Sequence, residues 1–157
     1  MTSLDKVTEN LKRLEQDASY SAYVALANAL SAVPIGESPW PVLKVAVLRN
    51  FTVEPLLPVL KGEIARMGFF PDFYVGDYDT IASEVMSAQS NLYQFRPDVI
   101  ILAQWLEGLT TRLVQRFVSL PHEEVAVETD RVLTTVHGQL ENMRKYCEAP
   151  VLMNNFP

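Results

Sequence analysis

The 157-residue chain has one cysteine, Cys147, and two histidines, His122 and His137. One cysteine excludes an internal disulfide and suits a reducing, cytoplasmic setting. Two histidines with no cysteine or carboxylate at ligand spacing give no basis for a structural metal site, and neither metal nor cofactor is expected. No apolar run is long enough to span a bilayer, and the N-terminus lacks the apolar region of a signal peptide, so no membrane association is expected. Basic residues number 13 against 19 acidic ones, and they are scattered. The net charge of −6 and the absence of a basic stripe exclude a nucleic-acid surface. Of six glycines, none builds a phosphate-cradling turn after the first apolar run. What is present is an ordinary globular composition, 48% hydrophobic and 20% charged, in a chain long enough to bury a core.

Leu4, Val7, Leu11 and Leu14 recur at helical spacing, and Tyr20, Tyr23, Val24, Ala27 and Leu30 form a second stripe. Residues 1–33 are therefore expected to form a helical hairpin. Pro34, Gly36, Pro39 and Pro41 mark 34–42 as a linker. From residue 43 to 157, short apolar runs alternate with helical stretches. Leu43–Leu48 reads as the first strand, followed by a helix that begins between Pro55 and Pro58 and ends at Gly68. Phe73–Val75 reads as a short strand ended by Gly76, Thr80–Ser87 as a short helix and Ala88–Arg96 as an irregular connector. Asp98–Ala103 is an unbroken apolar run suited to a parallel strand buried on both faces. Leu106, Leu109, Leu113, Phe117 and Leu120 share a helical face that Pro121 interrupts. A long helix is predicted over Glu123–Tyr146, with Val125, Val132, Val136, Leu140 and Met143 inward. The segment from Pro150 to Phe156 carries the fourth strand, Val151–Met153. This alternation predicts an α/β domain with a parallel sheet, flanking helices and flavodoxin-like strand order, preceded by the hairpin. A strand ending at the C-terminus leads to the expectation that the chain is part of a longer protein.

In open α/β sheets, ligands bind beyond the carboxyl ends of the strands. That rule selects Arg49, Asn50 and Thr52 after the first strand, Gly76 after the second, and Gln104 and Trp105 after the third. Ser90 lies in the connector to the third strand. Gln104 can both donate and accept, and Trp105 can wall a pocket or cover the sheet. Thr52 is the only hydroxyl at the first turn, and its simplest role is to cap the following helix by way of Glu54. His122, His137 and Cys147 read as a solvated helix start, a helical surface or core residue, and a small apolar residue.

Three stretches carry a resemblance: Lys44-Val45-Ala46-Val47-Leu48-Arg49-Asn50-Phe51-Thr52-Val53-Glu54-Pro55-Leu56, Tyr74-Val75-Gly76, and Ser90-Asn91-Leu92-Tyr93-Gln94-Phe95-Arg96-Pro97-Asp98-Val99-Ile100. Together they resemble the N-terminal domain of FkbH-like proteins, over roughly residues 43–157. The resemblance implies an SGNH-hydrolase-like three-layer sandwich that precedes a phosphatase-like domain of the HAD superfamily. That protein class makes a glyceryl thioester on an acyl carrier protein for polyketide biosynthesis. The departures are as informative. The Asp-x-Asp-x-Thr motif of the phosphatase-like domain is absent, since Asp77-Tyr78-Asp79 is followed directly by Thr80. Arg49-Asn50-Phe51-Thr52 stands where an SGNH fold has its Gly-Asp-Ser turn, no asparagine follows the third strand directly, and no Asp-x-x-His occurs.

The resemblance therefore implies a non-catalytic accessory domain of an FkbH-like glyceryl transferase. Its expected partners are an acyl carrier protein or the adjoining HAD-like domain, with a homo-dimer left open. Docking of an acidic carrier on this acidic chain would need a local basic patch, for which Arg49, Arg112 and Arg116 are the candidates. Two other readings stay open. One is an active SGNH-type esterase or acyltransferase using Thr52, which would require a base from elsewhere. The other is a small-ligand module of flavodoxin-like type, for which the cobalamin loop signature Asp-x-His-x-x-Gly is absent.

Overall fold

In the computed structural model, which describes residues 2–155, Thr2 opens the first helix with a reciprocal cap. Its hydroxyl accepts from the Asp5 N–H at 3.1 Å, and the Asp5 carboxylate accepts from the Thr2 N–H at 2.7 Å. The elements then run α1 (Ser3–Gln16), α2 (Tyr20–Ser31), β1 (Val42–Arg49), α3 (Leu57–Arg66), β2 (Phe70–Tyr78), α4 (Ile81–Met86), α5 (Asn91–Phe95), β3 (Val99–Ala103), α6 (Thr111–Arg116), α7 (His122–Tyr146) and β4 (Val151–Met153). The strands form a parallel sheet in the order β2-β1-β3-β4, flanked by helices and preceded by α1 and α2. This is the flavodoxin-like order for four strands. Ile100, Ile101 and Leu102 of β3 pair with Val151, Leu152 and Met153 of β4. Phe156 and Pro157, at the end of the predicted fourth-strand segment, lie outside the described residues. Among the described residues, no helix is long and apolar enough to cross a membrane.

The chain divides into two compact units. The first comprises the residues up to Val45 together with Thr52–Phe73. Val7 and Leu14 from α1 and Ala22, Leu26 and Leu30 from α2 bury against Ala65 of α3 and Phe70 of β2. Each large aliphatic side chain so buried contributes roughly 1.5–3 kcal/mol. The second stripe of the hairpin holds in part: Ala27 and Leu30 are buried as predicted and Ala22 and Leu26 join them, whereas Tyr20 is exposed. The small Ala22 lets the helices approach, and Tyr20 at the first turn has nothing to cover it. Tyr23 packs at the edge of this core and donates its hydroxyl to Glu63. α3 starts at Leu57 with Pro58 in its first turn, where the missing N–H costs nothing. Its cap position is Leu56 and carries no side-chain bond, so Thr52 does not cap it.

The second unit comprises Ala46–Phe51 and the residues from Tyr74 onward. Its core is Ala46 and Leu48 of β1, Ile100 and Leu102 of β3, Ile81 and Val85 of α4, Leu92 of α5 and Met143 of α7. Two predicted boundaries change here. Gly76 does not end β2, which runs on to Tyr78. A Cβ at Gly76 would lie 3.1 Å from Leu48 Cδ2, so the glycine serves a close approach inside the sheet. The connector 88–96 contains α5, because Glu84 accepts the Leu92 N–H at 2.9 Å and supplies a cap from α4. Arg96 then leaves that helix in the left-handed region, at φ 54°. The 106–120 stretch is not one helix but α6 between two 3-10 turns, Leu106–Gly108 and Phe117–Ser119, which leaves Phe117 exposed.

Candidate functional site

The carboxyl ends of β1, β2 and β3 bring most of the predicted polar residues together within the second unit. Asn50 follows β1 and is 8% exposed. Its backbone N–H donates to the Ala103 carbonyl at 3.1 Å, extending the sheet by one bond. Its side chain then grips the next peptide plane. Oδ1 accepts from the Trp105 N–H at 2.6 Å, and Nδ2 donates to the Trp105 carbonyl at 3.1 Å. A carboxamide has the same donor–acceptor pair as a peptide, so Asn50 continues the ladder with its side chain. Gly108 lies against the same amide, and a Cβ there would collide with Asn50 Nδ2.

On the other flank of β3, Asn154 does the same one residue earlier. Its Oδ1 accepts from the Gln104 N–H at 2.9 Å, and its Nδ2 donates to the Gln104 carbonyl at 2.9 Å. Two asparagines, one after each strand that borders β3, thus hold consecutive residues of the β3 exit turn. Asn154 was not among the predicted site residues. Its signal was available: it follows the fourth apolar run much as Asn50 follows the first.

The turn so fixed presents three features. Trp105 is 51% exposed and stacks on Phe51, with ring centroids 4.9 Å apart and an interplanar angle of 22°. Arg49 turns back toward β2 and donates Nε to the Gly76 carbonyl at 3.2 Å, while its own carbonyl accepts from the Asp79 N–H. Gln104 is 3% exposed, and its Oε1 is enclosed with no hydrogen-bond partner. Arg49, Asn50, Gly76, Gln104 and Trp105 are therefore neighbours in one place.

Ser90 and Thr52 are placed differently. Ser90 precedes α5, and its Oγ is enclosed without a partner because Glu84 has taken the capping role. Glu84 also accepts from the Tyr74 hydroxyl at 2.7 Å. Burial, with this carboxylate second, pushes the Tyr74 phenol well above its ordinary range. Tyr93 donates to the Val85 carbonyl at 2.9 Å, and burial pushes it up to about 12. Thr52 belongs to the first unit and is exposed.

A second polar cluster, not predicted from sequence, links α6 to α7. Thr110 is fully buried, caps α6 through the Leu113 N–H, and donates its hydroxyl to Glu128 Oε2 at 2.8 Å. Arg131 reaches the same oxygen at 2.9 Å. The Thr110 hydroxyl first, then Arg131, hold the Glu128 carboxyl below its ordinary value. Arg112 pairs with Glu124 and lies 3.9 Å from Glu128. Of the three arginines proposed as a basic patch, Arg112 is thus already engaged, and Arg49 is turned onto Gly76. His122 and His137 are exposed on α7, and Cys147 is half-buried after it. Among the described residues, no three histidine, cysteine or carboxylate groups are placed to hold a metal ion.

The fold is similar to the crystal structure of the N-terminal part of the protein BF1531 from Bacteroides fragilis, which contains a phosphatase domain complexed with Mg. The TM-score is 0.59 at 24% identity, over 75% of this chain and 29% of that one. At that identity the likeness is one of fold, and this chain spans less than a third of the other's length. No curated protein matches the sequence. A family model does: that of the FkbH N-terminal domain covers residues 44–157, from β1 through both asparagine clamps. With most of its length matched in this way, the chain belongs to the FkbH N-terminal domain family.

Proposed function

We propose that this chain is the non-catalytic, SGNH-like accessory domain of an FkbH-like glyceryl transferase or phosphatase of the cytoplasm. It serves the loading of a three-carbon unit onto an acyl carrier protein in polyketide biosynthesis, beside a HAD-like domain that does the chemistry. The observation that carries this reading is the use made of the first turn. An acyl transfer needs a nucleophile, a base and a prepared oxyanion site there. Asn50 instead spends both ends of its carboxamide on the Trp105 peptide.

Long-range attraction does not favour an acidic carrier on a chain of net charge −6. The engagement of Arg112 with Glu124 removes one local remedy. The carrier is therefore received through the uncharged pantetheine end of its prosthetic arm, at the turn of Asn50, Gly76, Gln104 and Trp105, more than through its charged surface. Titrating isotope-labelled protein with phosphopantetheinylated carrier tests this by NMR. Shifts confined to those residues, absent with the unmodified carrier, are expected. Equal shifts with both carrier forms, or none, overturn arm recognition. Acyl-ester hydrolysis that disappears in Thr52→Ala would overturn the non-catalytic assignment.

A further inference from the structure

A cleft of about 370 Å³ opens between α6 and α7 in the second unit. Leu106, Leu113, Val114 and Val125 line it, together with Phe117. The cleft is preformed, because the buried Thr110 caps α6 and also donates to Glu128 of α7 at 2.8 Å. Beside it an apolar surface is left uncovered. Phe117 is 61% exposed, and Val118, in the same 3-10 turn, is wholly exposed. Single exposed apolar side chains are ordinary, whereas an apolar knob next to an apolar hollow marks a contact surface. The charges around it divide into two kinds. Arg112 is paired with Glu124, and Arg131 with Glu128. Glu107 in the lining and Arg116 next to Phe117 have no side-chain partner among the described residues.

We propose that this surface binds a second copy of the same chain, in an isologous pair where Val118 of each protomer enters the cleft of the other. Self-complementarity selects the occupant. One patch carries both the knob and the hollow, and a two-fold axis brings each against its counterpart twice. The same operation sets Arg116, beside the knob, at the rim where the other protomer carries Glu107. The two charges left over then form two ion pairs. An acidic occupant would find Arg116 but be repelled by Glu107, and a basic one the reverse; a second copy answers both. The net charge of −6 on each protomer opposes encounter, so the pair is weak and depends on concentration. The pairing is independent of carrier binding.

Sedimentation equilibrium of the 157-residue chain, from about 10 μM to about 1 mM, tests the pairing. A monomer–dimer equilibrium is expected, weakened about tenfold or more by Val118→Asp, which would bury a carboxylate in the partner's cleft. Because Val118 is wholly exposed, that variant should fold as the wild type does. Glu107→Arg and Arg116→Glu should each weaken the dimer by setting like charges together, and the two combined in one chain should restore it. Sedimentation as a monomer throughout overturns the proposal and leaves the cleft to another occupant, such as a carrier protein or an adjoining domain. A dimer indifferent to Val118→Asp overturns it too, by placing the interface elsewhere. A combined variant no tighter than the single ones overturns the contact of Arg116 with Glu107, and the two-fold arrangement with it. Should a variant fold poorly, the wild type decides alone through the methyl resonances of Val114, Val118 and Val125. These should shift as dimer forms, and resonances that stay fixed while dimer forms overturn the proposal.

Discussion

The two compact units bury their interiors differently. The first is closed by aliphatic and aromatic side chains: Val7, Leu14, Leu26, Leu30 and Phe70 meet with no buried polar group among the described residues. All four buried polar residues described, Asn50, Gln104, Thr110 and Glu128, belong to the second unit. Apolar burial is tolerant of detail and supplies stability, whereas a buried polar group demands a fixed partner and so fixes geometry. The contrast teaches that apolar burial closes the first unit, whereas the second also fixes the geometry of its turns with buried polar pairs.

The widest break in this comparison comes from deleting core methylenes in each unit. Leu26→Ala and Leu102→Ala are each expected to cost about 2–5 kcal/mol, read from chemical denaturation. Leu26→Ala should leave the Trp105 fluorescence environment unchanged in the folded state. Leu102→Ala should not, because Leu102 lies on the strand that leads to Trp105. The clamps come next. Asn50→Ala strands a donor and an acceptor on Trp105 and should cost about 1–3 kcal/mol, and Asn50→Asp at least as much, because it keeps the acceptor but sets a buried anionic oxygen against the Trp105 carbonyl. Loss of protection of the Trp105 amide to hydrogen exchange is the specific readout. Full protection in Asn50→Ala would mean the clamp is incidental.

Of comparable or smaller size is overpacking in the first unit. A Cβ at Gly62 would lie 2.5 Å from the Tyr23 ring, which itself holds Glu63 through its hydroxyl. Gly62→Ala should therefore destabilise by about 1–3 kcal/mol despite alanine's better helix propensity. An unchanged midpoint would show that Tyr23 can move aside freely.

The acid limb of stability sharpens the contrast without a large change at neutral pH. Glu63 in the first unit and Glu128 in the second are both held below the ordinary value of 4.5, chiefly by the hydroxyls of Tyr23 and Thr110. A depressed carboxyl lends stability that is present above its unfolded value. That stability is lost as the pH falls through its folded one. Stability should thus decline below about pH 4.5. Glu128→Gln should flatten that decline and, unlike Glu63→Gln, loosen the α6 segment that Thr110 caps. A profile as steep in Glu128→Gln as in wild type would remove this carboxyl from the account.

The strand order was legible because β1, β3 and β4 are apolar runs of ordinary length, and their bounds depart from prediction by a residue at most. α5 was not legible, because its cap comes from Glu84 in another helix and not from its own first turn. The 106–120 face misled for a related reason: helical spacing of Leu106, Leu109, Leu113 and Phe117 says nothing of the Gly108 tip that packs on Asn50. At the site, the rule of strand ends located Asn50 and Gln104. Spacing could not show that Asn50 is consumed by Trp105 while Gln104 Oε1 is left over, since both facts depend on which strands border β3. Asn154 was passed over because its partner, Gln104, is fifty residues away.

The smallest expected effect runs the other way. Gly138 lies inside α7, and a Cβ there would meet nothing within 4 Å. Its backbone is helical, so alanine removes unfolded-state freedom at no steric cost. Gly138→Ala should stabilise by roughly 0.5–1 kcal/mol. Set beside Gly62, the same substitution in two helices should change sign between the units. In α3 the space is already filled by Tyr23, and in α7 it is open. The groove over Gly138 is lined by Leu133, Thr134, His137 and Glu141, all from α7. If the proposed carrier binding is found, its persistence in a stabilised Gly138→Ala protein would assign that groove no part in it. Its loss together with the gain in stability would place part of that binding on α7, away from the turn that Asn50 and Asn154 hold.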